Sequence, residues 1–151
     1  HALAGGCGLV TVCDFAFSAP EALFGYTEVK IGFVPALVSV FLSEQIGHAK
    51  TMELLLSGEL ISSSKSAQIG LITEVVDGEP LVRRTVEFAQ QLISNNSAFS
   101  MRETKRLIRS LGQFARRQAL DQAAEANAKA RGNADCVKGI AAFLSKTKPS
   151  W

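Results

Sequence analysis

The chain has 151 residues, of which 47% are hydrophobic and 20% are charged, a composition typical of a globular protein with its own core. Its net charge is only +2, and Lys and Arg are dispersed among acidic residues, so no nucleic-acid-binding surface is indicated. No apolar run approaches the roughly 20 residues of a membrane span, and the amino-terminal residues lack the pattern of a signal peptide. We therefore expect neither nucleic acid nor membrane as a partner.

The glycine-rich stretch near the start of the chain is its most distinctive feature. It runs from Leu3 to Asp14 and contains Gly5, Gly6 and Gly8. Because glycine inside a helix costs about 1 kcal/mol relative to alanine, we expect residues 5–8 to form a turn and a helix to occupy about residues 8–13. Such a turn lets a ligand approach the backbone, and the unpaired N–H groups of a helix start suit an oxyanion.

Short strands surround a candidate carboxylate. Alternation and turn residues predict strands at about 15–19, 22–26 and 71–76, and the second strand ends just before Glu28. A lone Glu is most often a solvent-exposed charge. The apolar residues around Glu28 favour instead a partly buried carboxylate that can transfer protons next to a carbonyl group.

Helical patterns occupy most of the remaining chain and alone fill its last third. We expect residues 1–94 to form a mixed α/β part and residues 95–151 an all-helical part. An alanine stripe in the helix at 114–131 allows another helix to approach closely, either within the chain or across an oligomer interface. Helices are predicted at about 36–45, 48–56, 64–69, 80–94, 98–111, 114–131 and 134–147.

The cysteines indicate neither a metal site nor a disulfide framework. Cys7, Cys13 and Cys136 form no Cys-x-x-Cys pair and have no His at metal-ligand spacing. Free thiols are typical of a reducing compartment. We expect a cytoplasmic protein, or one of the mitochondrial matrix if the source is a eukaryote.

Several motifs, in order and at consistent spacing, resemble the enoyl-CoA hydratase/isomerase (crotonase) family. The resemblance is to the C-terminal two-thirds of family members, and we expect the sequence to be a fragment. It implies an α/β fold with a crotonase-like spiral core of ββα units and a C-terminal helical region that builds homo-trimers, often stacked as hexamers. The matching motifs are GGCGL at 5–9, CD at 13–14, FGYTEVKIGFVP at 24–35, LLLSG at 54–58, AQIGLI at 67–72 and AFLSK at 142–146.

The resemblance also assigns catalytic roles. Gly5 matches the glycine whose N–H binds the thioester oxygen, and Glu28 matches the family's second catalytic glutamate. Gly8 stands where hydratases have their first catalytic glutamate, so this chain retains one of the two carboxylates. Leu37 and Val38 replace part of a glycine-rich run, which implies a reshaped acyl pocket.

Further substrate-binding residues are implied at both ends of the chain. Tyr26 is a candidate for the pocket lining, although core packing is the favoured interpretation. Phe143 and Lys146, three residues apart on the last predicted helix, match a pair that meets the adenine and phosphate end of coenzyme A. The substrate-binding residues expected are Gly8, Tyr26, Pro35, Ala36, Phe143 and Lys146.

Three functions remain open at this point. The first is hydration of a 2-enoyl-CoA, with a branched thioester such as methylglutaconyl-CoA as one candidate. The second is Δ3-Δ2 isomerisation by the single glutamate, and the third is a catalytically silent CoA-binding oligomer. In each case the resemblance implies an acyl-CoA thioester partner, with coenzyme A as part of the substrate and with no metal or separate cofactor.

Overall fold

The structure is a computed structural model that describes residues 1–31, 35–77, 80–111 and 132–147. The chain divides into two compact units, His1–Val86 and Glu87–Trp151. The first unit is mixed α/β, and the elements described in the second are helices. The predicted division at residues 94 and 95 stays a prediction.

Two small sheets organise the first unit. Strands β1 (Ala2–Leu3), β3 (Leu23–Gly25) and β4 (Ile61–Ser62) form one sheet in the order β1-β3-β4. β1 and β3 are parallel, with Leu3 opposite Gly25, whereas β3 and β4 are antiparallel. Strands β2 (Phe17–Ser18) and β5 (Glu74–Val75) form the second sheet and are parallel. The parallel β1–β3 pair aligns the chain just before α1 with the chain just before Glu28.

Helices cover these sheets and enclose the core. They are α1 (Gly5–Thr11), α2 (Ala36–Ile46), α3 (His48–Ser57) and α4 (Ser63–Gln68), and a 3₁₀ turn spans Glu28–Ile31. Burial of their apolar side chains is the main force that stabilises this unit. The buried core cluster consists of Cys7, Phe24, Tyr26, Leu42, Leu54, Leu55, Leu71 and Ile72.

The start of α1 differs from the sequence prediction. The helix begins at Gly5 and ends at Thr11, so the expected turn at residues 5–8 and helix at 8–13 are wrong. The turn is made one residue earlier, by Ala4, whose φ of 48° and ψ of −123° are uncommon for a residue with a side chain. Glycine's low helix propensity was overridden because the sheet fixes Ala4: its N–H donates to the Gly25 carbonyl at 2.8 Å.

The strands are shorter than predicted. The apolar run at 71–76 was expected to be a strand, but only Glu74 and Val75 pair in a sheet. Leu71 and Ile72 are 1% and 5% exposed and pack in the core outside any strand. A short apolar run indicates that its residues are buried, but it does not distinguish a strand from a buried loop.

Helix α5 (Leu81–Asn95) begins in the first unit, where an ion pair fixes its first turns. The Arg84 guanidinium donates to both carboxylate oxygens of Glu74, at 2.9 and 2.6 Å. The same guanidinium lies 5.7 Å from the centre of the Phe17 ring. This bidentate arrangement, with an aromatic contact, is a geometry that suits arginine and not lysine.

The second unit contains α6 (Ala98–Leu111) and α7 (Ala134–Leu144), which contact each other. The predicted bounds of α6 are confirmed, and Ser97 begins this helix by accepting a hydrogen bond from the Ser100 N–H at 3.2 Å. The last helix was predicted to continue to residue 147, but it ends at Leu144. The alanine stripe at 114–131 lies outside the described residues. Within those residues, no helix has both the length and the apolar character needed to cross a bilayer.

We predict that Ala4→Gly stabilises the protein. A residue held in a sparsely populated backbone region costs on the order of 1–3 kcal/mol, and glycine at residue 4 would relieve this cost. Glycine also increases the entropy of the unfolded chain, which lowers the free energy of unfolding by about 0.4–1 kcal/mol. The free energy of unfolding should therefore rise by about 1 kcal/mol, measured by denaturant titration. Ala16→Gly is the matched control, because Ala16 is not among the described residues with positive φ. A loss of stability in Ala4→Gly equal to that in Ala16→Gly would contradict the strain at Ala4.

Candidate active site

The first turn of α1 presents open backbone. The Gly8 N–H donates to the Ala4 carbonyl at 3.0 Å, so the N–H groups of Gly5, Gly6 and Cys7 precede the first bond of the helix. Gly5 and Gly6 are exposed, and a Cβ added at either one meets no described atom within 4 Å. A ligand can therefore approach the backbone at Gly5 without a steric barrier from the described residues.

Glu28 is the first residue of the 3₁₀ turn that follows β3. The residue is half-buried, and its Oε2 atom is buried with no hydrogen-bond partner in the described parts of the chain. A buried carboxylate oxygen without a partner is costly, because the hydrogen bonds it made to water are not replaced. Such an atom is a candidate to exchange a proton with a ligand.

A buried hydrogen-bonded cluster of Cys7, Thr11 and Tyr26 lies next to Glu28. The Thr11 hydroxyl donates to the Cys7 carbonyl at 2.9 Å, and its oxygen is 2.6 Å from the Tyr26 hydroxyl oxygen. Because Thr11 has a single hydroxyl hydrogen, Tyr26 donates in this second bond. The Cys7 thiol also bonds to Tyr26. The cluster therefore links α1 to the end of β3.

Burial determines the protonation of this cluster. Desolvation raises the pKa of the Tyr26 phenol well above its usual range, and the nearby Glu28 carboxylate raises that pKa further by repulsion. The pKa of the Cys7 thiol is likewise raised, mainly by burial, with a smaller contribution from Glu28. Both groups remain neutral at physiological pH.

Gly58 supports the turn that contains Glu28. It ends α3 in the left-handed conformation, with φ of 60°, and its N–H donates to the Leu54 carbonyl at 3.1 Å. A Cβ at this position would lie 3.0 Å from a Val29 methyl group and 3.2 Å from the Lys30 side chain. The absence of a side chain at residue 58 lets the 3₁₀ turn pack directly against the end of α3.

Gly8 and Val38, two positions singled out in the sequence, lie next to each other in space. A Cβ added at Gly8 would lie 3.8 Å from Cγ2 of Val38, which is ordinary van der Waals contact. Val38 is half-buried and packs against the core, whereas the neighbouring Leu37 is 83% exposed. Val38, and not Leu37, therefore lies beside Gly8, the residue that the resemblance matched to the first glutamate of hydratases.

The other predicted site residues are placed as follows. Tyr26 is 1% exposed and belongs to the core, so any contact with substrate stays a prediction. Pro35 precedes α2 and Ala36 begins it. Phe143 and Lys146 belong to the second unit, and the expectation that they share a helix face is wrong. The helix ends at Leu144, and Lys146 lies beyond it, exposed and with φ of 54°.

Other candidate sites offer less. His1 accepts a hydrogen bond from the Leu23 N–H at 2.9 Å through Nδ1, which is a structural contact. No group of three or more His, Cys, Asp or Glu residues in the described chain is arranged to hold a metal ion. An open apolar depression of about 290 Å³ contains none of the predicted site residues and is lined by Phe15, Phe17, Leu81, Val82, Thr85 and Val86.

Sequence reasoning missed the roles of Cys7 and Thr11. The i, i+4 spacing of these residues places them on one helix face, and that periodicity was the available signal. It was not used because the helix was expected to begin at residue 8. Because the helix begins at Gly5, Cys7 and Thr11 lie about one turn apart on the same helix face, and both side chains bond to Tyr26.

Comparison with known proteins identifies the family to which this chain belongs. The sequence model described as enoyl-CoA hydratase/isomerase matches residues 1–151. A putative enoyl-CoA hydratase of Thermus thermophilus is 37% identical over 148 residues, covering 98% of this chain and 58% of that protein. A probable mitochondrial enoyl-CoA hydratase of Dictyostelium discoideum is 28% identical, covering 100% of this chain and 54% of that protein.

Solved structures agree with this fold. A crystal structure of an enoyl-CoA hydratase of Mycobacterium smegmatis has a TM-score of 0.89 at 25% identity, covering 99% of this chain and 58% of that one. One from Bacillus anthracis has a TM-score of 0.87 at 28% identity, with coverage of 99% and 58%. The chain belongs to the enoyl-CoA hydratase/isomerase family, and the predicted α/β crotonase-like fold is confirmed. It spans somewhat more than half the length of these relatives.

We predict unequal effects of two substitutions in the buried cluster. Tyr26→Phe removes the bonds of the Tyr26 hydroxyl to Thr11 and to the weakly bonding Cys7 thiol, but it leaves Thr11 bonded to the Cys7 carbonyl, so it should cost about 1 kcal/mol of unfolding free energy. Thr11→Val leaves the buried Tyr26 hydroxyl without its oxygen partner, which should cost more, about 1–3 kcal/mol. Denaturant unfolding of both variants tests the order. A greater loss in Tyr26→Phe would show that the Thr11 hydroxyl is not the main acceptor for Tyr26.

Proposed function

We propose that this chain provides the catalytic carboxylate of an enzyme that adds water to a 2-enoyl-CoA thioester. In this mechanism the Gly5 N–H donates to the thioester oxygen, and Glu28 exchanges a proton with the acyl chain. The observation that supports it most is the buried, unpartnered Oε2 of Glu28, in a chain that belongs to a family acting on enoyl-CoA. Methylglutaconyl-CoA is one candidate substrate.

Hydration requires that a developing negative charge be stabilised and that a proton be transferred. As a nucleophile adds at C3 of the enoyl group, negative charge develops on the thioester oxygen, where a backbone N–H stabilises it most strongly in a site without water. The water that adds must lose one proton and C2 must gain one, so Glu28 would accept the proton from the water and deliver it to C2. Glu28 is suited to this transfer because its neighbours Cys7 and Tyr26 stay neutral and do not compete for the proton.

Isomerisation of a 3-enoyl-CoA to a 2-enoyl-CoA is the second candidate. It is favoured by the position of Val38 beside Gly8, since both residues are apolar at the position that the resemblance matches to the first glutamate of hydratases. One carboxylate suffices to move a proton between two carbons. In hydration by this chain, Glu28 and backbone groups would have to position the water instead. A catalytically silent, CoA-binding oligomer is the third candidate.

Partners and location complete the proposal. Coenzyme A enters as part of the thioester substrate, and no metal or separate cofactor is included in the mechanism. Pro35 and Ala36 are proposed to line the acyl pocket. Phe143 and Lys146 are proposed to contact the adenine and phosphate end of coenzyme A. The cytoplasm, or the mitochondrial matrix of a eukaryote, is the proposed compartment.

We predict that Glu28→Gln keeps thioester binding and lowers turnover by about 10²–10⁴-fold, the usual contribution of positioned acid–base catalysis. The amide retains the shape of the side chain but cannot transfer the proton. Steady-state kinetics with crotonyl-CoA and with a 3-enoyl-CoA measure the loss. Glu21→Gln, which makes the same change at an exposed residue, is the control. Turnover of Glu28→Gln within a few-fold of wild type would remove Glu28 from the mechanism.

The identity of the product separates the candidate functions. A hydratase consumes the conjugated double bond of a 2-enoyl thioester, so absorbance of the conjugated system falls. An isomerase acts on a 3-enoyl thioester and that absorbance rises. Action on the 3-enoyl substrate alone would replace the first candidate by the second. Binding of CoA thioesters without turnover of either would favour the third.

We also predict a homo-trimer or hexamer, with helices after Asn95 in the interface. The mass in solution, measured by light scattering at micromolar concentration, tests this. A stable monomer would contradict it.

A further inference from the structure

Glu28 follows a short connection that belongs to no helix or strand. β3 ends at Gly25 and the 3₁₀ turn begins at Glu28, so Tyr26 and Thr27 join the two outside regular secondary structure. A connection of this kind lacks the repeated backbone hydrogen bonds that fix a strand or a helix. The position of the Glu28 backbone therefore depends on the contacts that hold this connection.

The Glu28 side chain is not held at its Oε2 atom. That oxygen is buried and has no hydrogen-bond partner in the part of the chain that the structure describes. An oxygen without a partner is suited to accept a proton, but no bond at this atom fixes where the carboxylate lies. Its position is therefore set through the main chain on either side of Glu28.

Two contacts hold that main chain. After Glu28, the turn packs against the end of α3, where a Cβ on Gly58 would lie 3.0 Å from a Val29 methyl group. Before Glu28, the contact is made by Tyr26, which is 1% exposed and whose hydroxyl oxygen lies 2.6 Å from the Thr11 hydroxyl oxygen. The Tyr26 contact is the one that connects Glu28 to α1.

The bond between Tyr26 and Thr11 is a defined distance constraint. The Thr11 hydroxyl donates to the Cys7 carbonyl at 2.9 Å, so its oxygen is oriented by the backbone of α1. Burial is the main cause that raises the pKa of the Tyr26 phenol, and repulsion by Glu28 adds to it. The phenol therefore keeps its proton and remains a donor to Thr11, close to the Glu28 carboxylate.

We propose that Tyr26 is a positioning residue for Glu28, and that its hydrogen bond with Thr11 sets the distance between α1 and the carboxylate. This inference rests on the proposed function, in which Gly5 of α1 and Glu28 act on the same thioester. A displacement of about 1 Å between reacting groups can lower the rate by about 10²-fold. A change of one bonded contact at Tyr26 is therefore large enough to be measured in kcat.

Variants of the two bonded residues test the proposal. Tyr26→Phe and Thr11→Val each remove the bond, whereas Thr11→Ser keeps the hydroxyl and removes only a methyl group. We expect the first two to lower kcat for the accepted enoyl-CoA by about 10- to 100-fold. KM should stay within about twofold, because the loss is in the transition state and not in substrate binding. Thr11→Ser should retain most of kcat, and a loss equal to that of Thr11→Val would overturn the role of the bond.

The double variant Tyr26→Phe/Thr11→Val separates positioning from stability. With both partners apolar, no buried hydroxyl is left unpaired, so the free energy of unfolding should recover relative to Thr11→Val. The bond is still absent, so kcat should stay as low as in the single variants. Recovery of kcat together with stability would show that the bond only stabilises the fold, and would overturn the proposal.

Ser66→Ala is the matched control. Ser66 is fully buried in the same unit, and its hydroxyl donates to the Ser62 carbonyl at 2.9 Å, a bond that involves neither α1 nor Glu28. It should lower stability by about as much as Tyr26→Phe, by about 1 kcal/mol, and leave kcat unchanged. An equal fall of kcat in Ser66→Ala, or a fall confined to KM in Tyr26→Phe, would contradict a positioning role.

Amide hydrogen exchange separates this inference from the proposed function. The Lys30 N–H donates to the Thr27 carbonyl at 3.0 Å, so its exchange reports opening of the turn that begins at Glu28. If the wild type turns over no enoyl thioester, the proposed function fails. Exchange at Lys30 that is about fivefold faster in Tyr26→Phe than in Ser66→Ala would still show that Tyr26 holds this turn. Equal exchange in the two variants would overturn the proposal.

Discussion

The buried hydrogen bond between Thr11 and Tyr26 joins the two elements that contain the candidate catalytic residues. Thr11 belongs to the helix that begins at Gly5, and Tyr26 follows the strand that leads to Glu28. A second tie, from the Ala4 N–H to the Gly25 carbonyl, fixes the entry to the same helix. With both ties buried or strand-bound, the helix cannot shift without losing hydrogen bonds that water does not replace. Burial also keeps Cys7 and Tyr26 neutral, because it raises the pKa of both groups.

The sequence predicted the order of most helices and the family, but not how the glycine stretch folds. Amphipathic periodicity over long segments, as in α6, is a strong signal because it repeats over several turns. At Gly5 the propensity of single residues was a weak signal, and tertiary hydrogen bonds overrode it. The same weakness explains the shortened strand at Glu74 and Val75, where core packing replaced strand pairing for the residues just before it.

The sequence predicted the residues of the candidate site one by one. It did not predict which of these residues lie next to each other. Gly8 and Val38 are 30 positions apart, so no local pattern relates them, yet their side-chain positions adjoin. The support of the Glu28 turn by Gly58 is likewise a long-range relation that depends on the left-handed end of α3. Phe143 and Lys146 illustrate the converse, since their three-residue spacing has structural meaning only while the helix continues through both residues.

The position of Val38 beside Gly8 bears on what the resemblance implies at residue 8, where it matches the first catalytic glutamate of hydratases. A Cβ built on Gly8 would lie 3.8 Å from Cγ2 of Val38, so an apolar methyl group bounds the space on that side. A carboxylate or a bound water needs polar partners, and this methyl group supplies none. The absence of a side chain at Gly8 and the methyl group of Val38 therefore act in the same direction, because each lowers the affinity of this position for water.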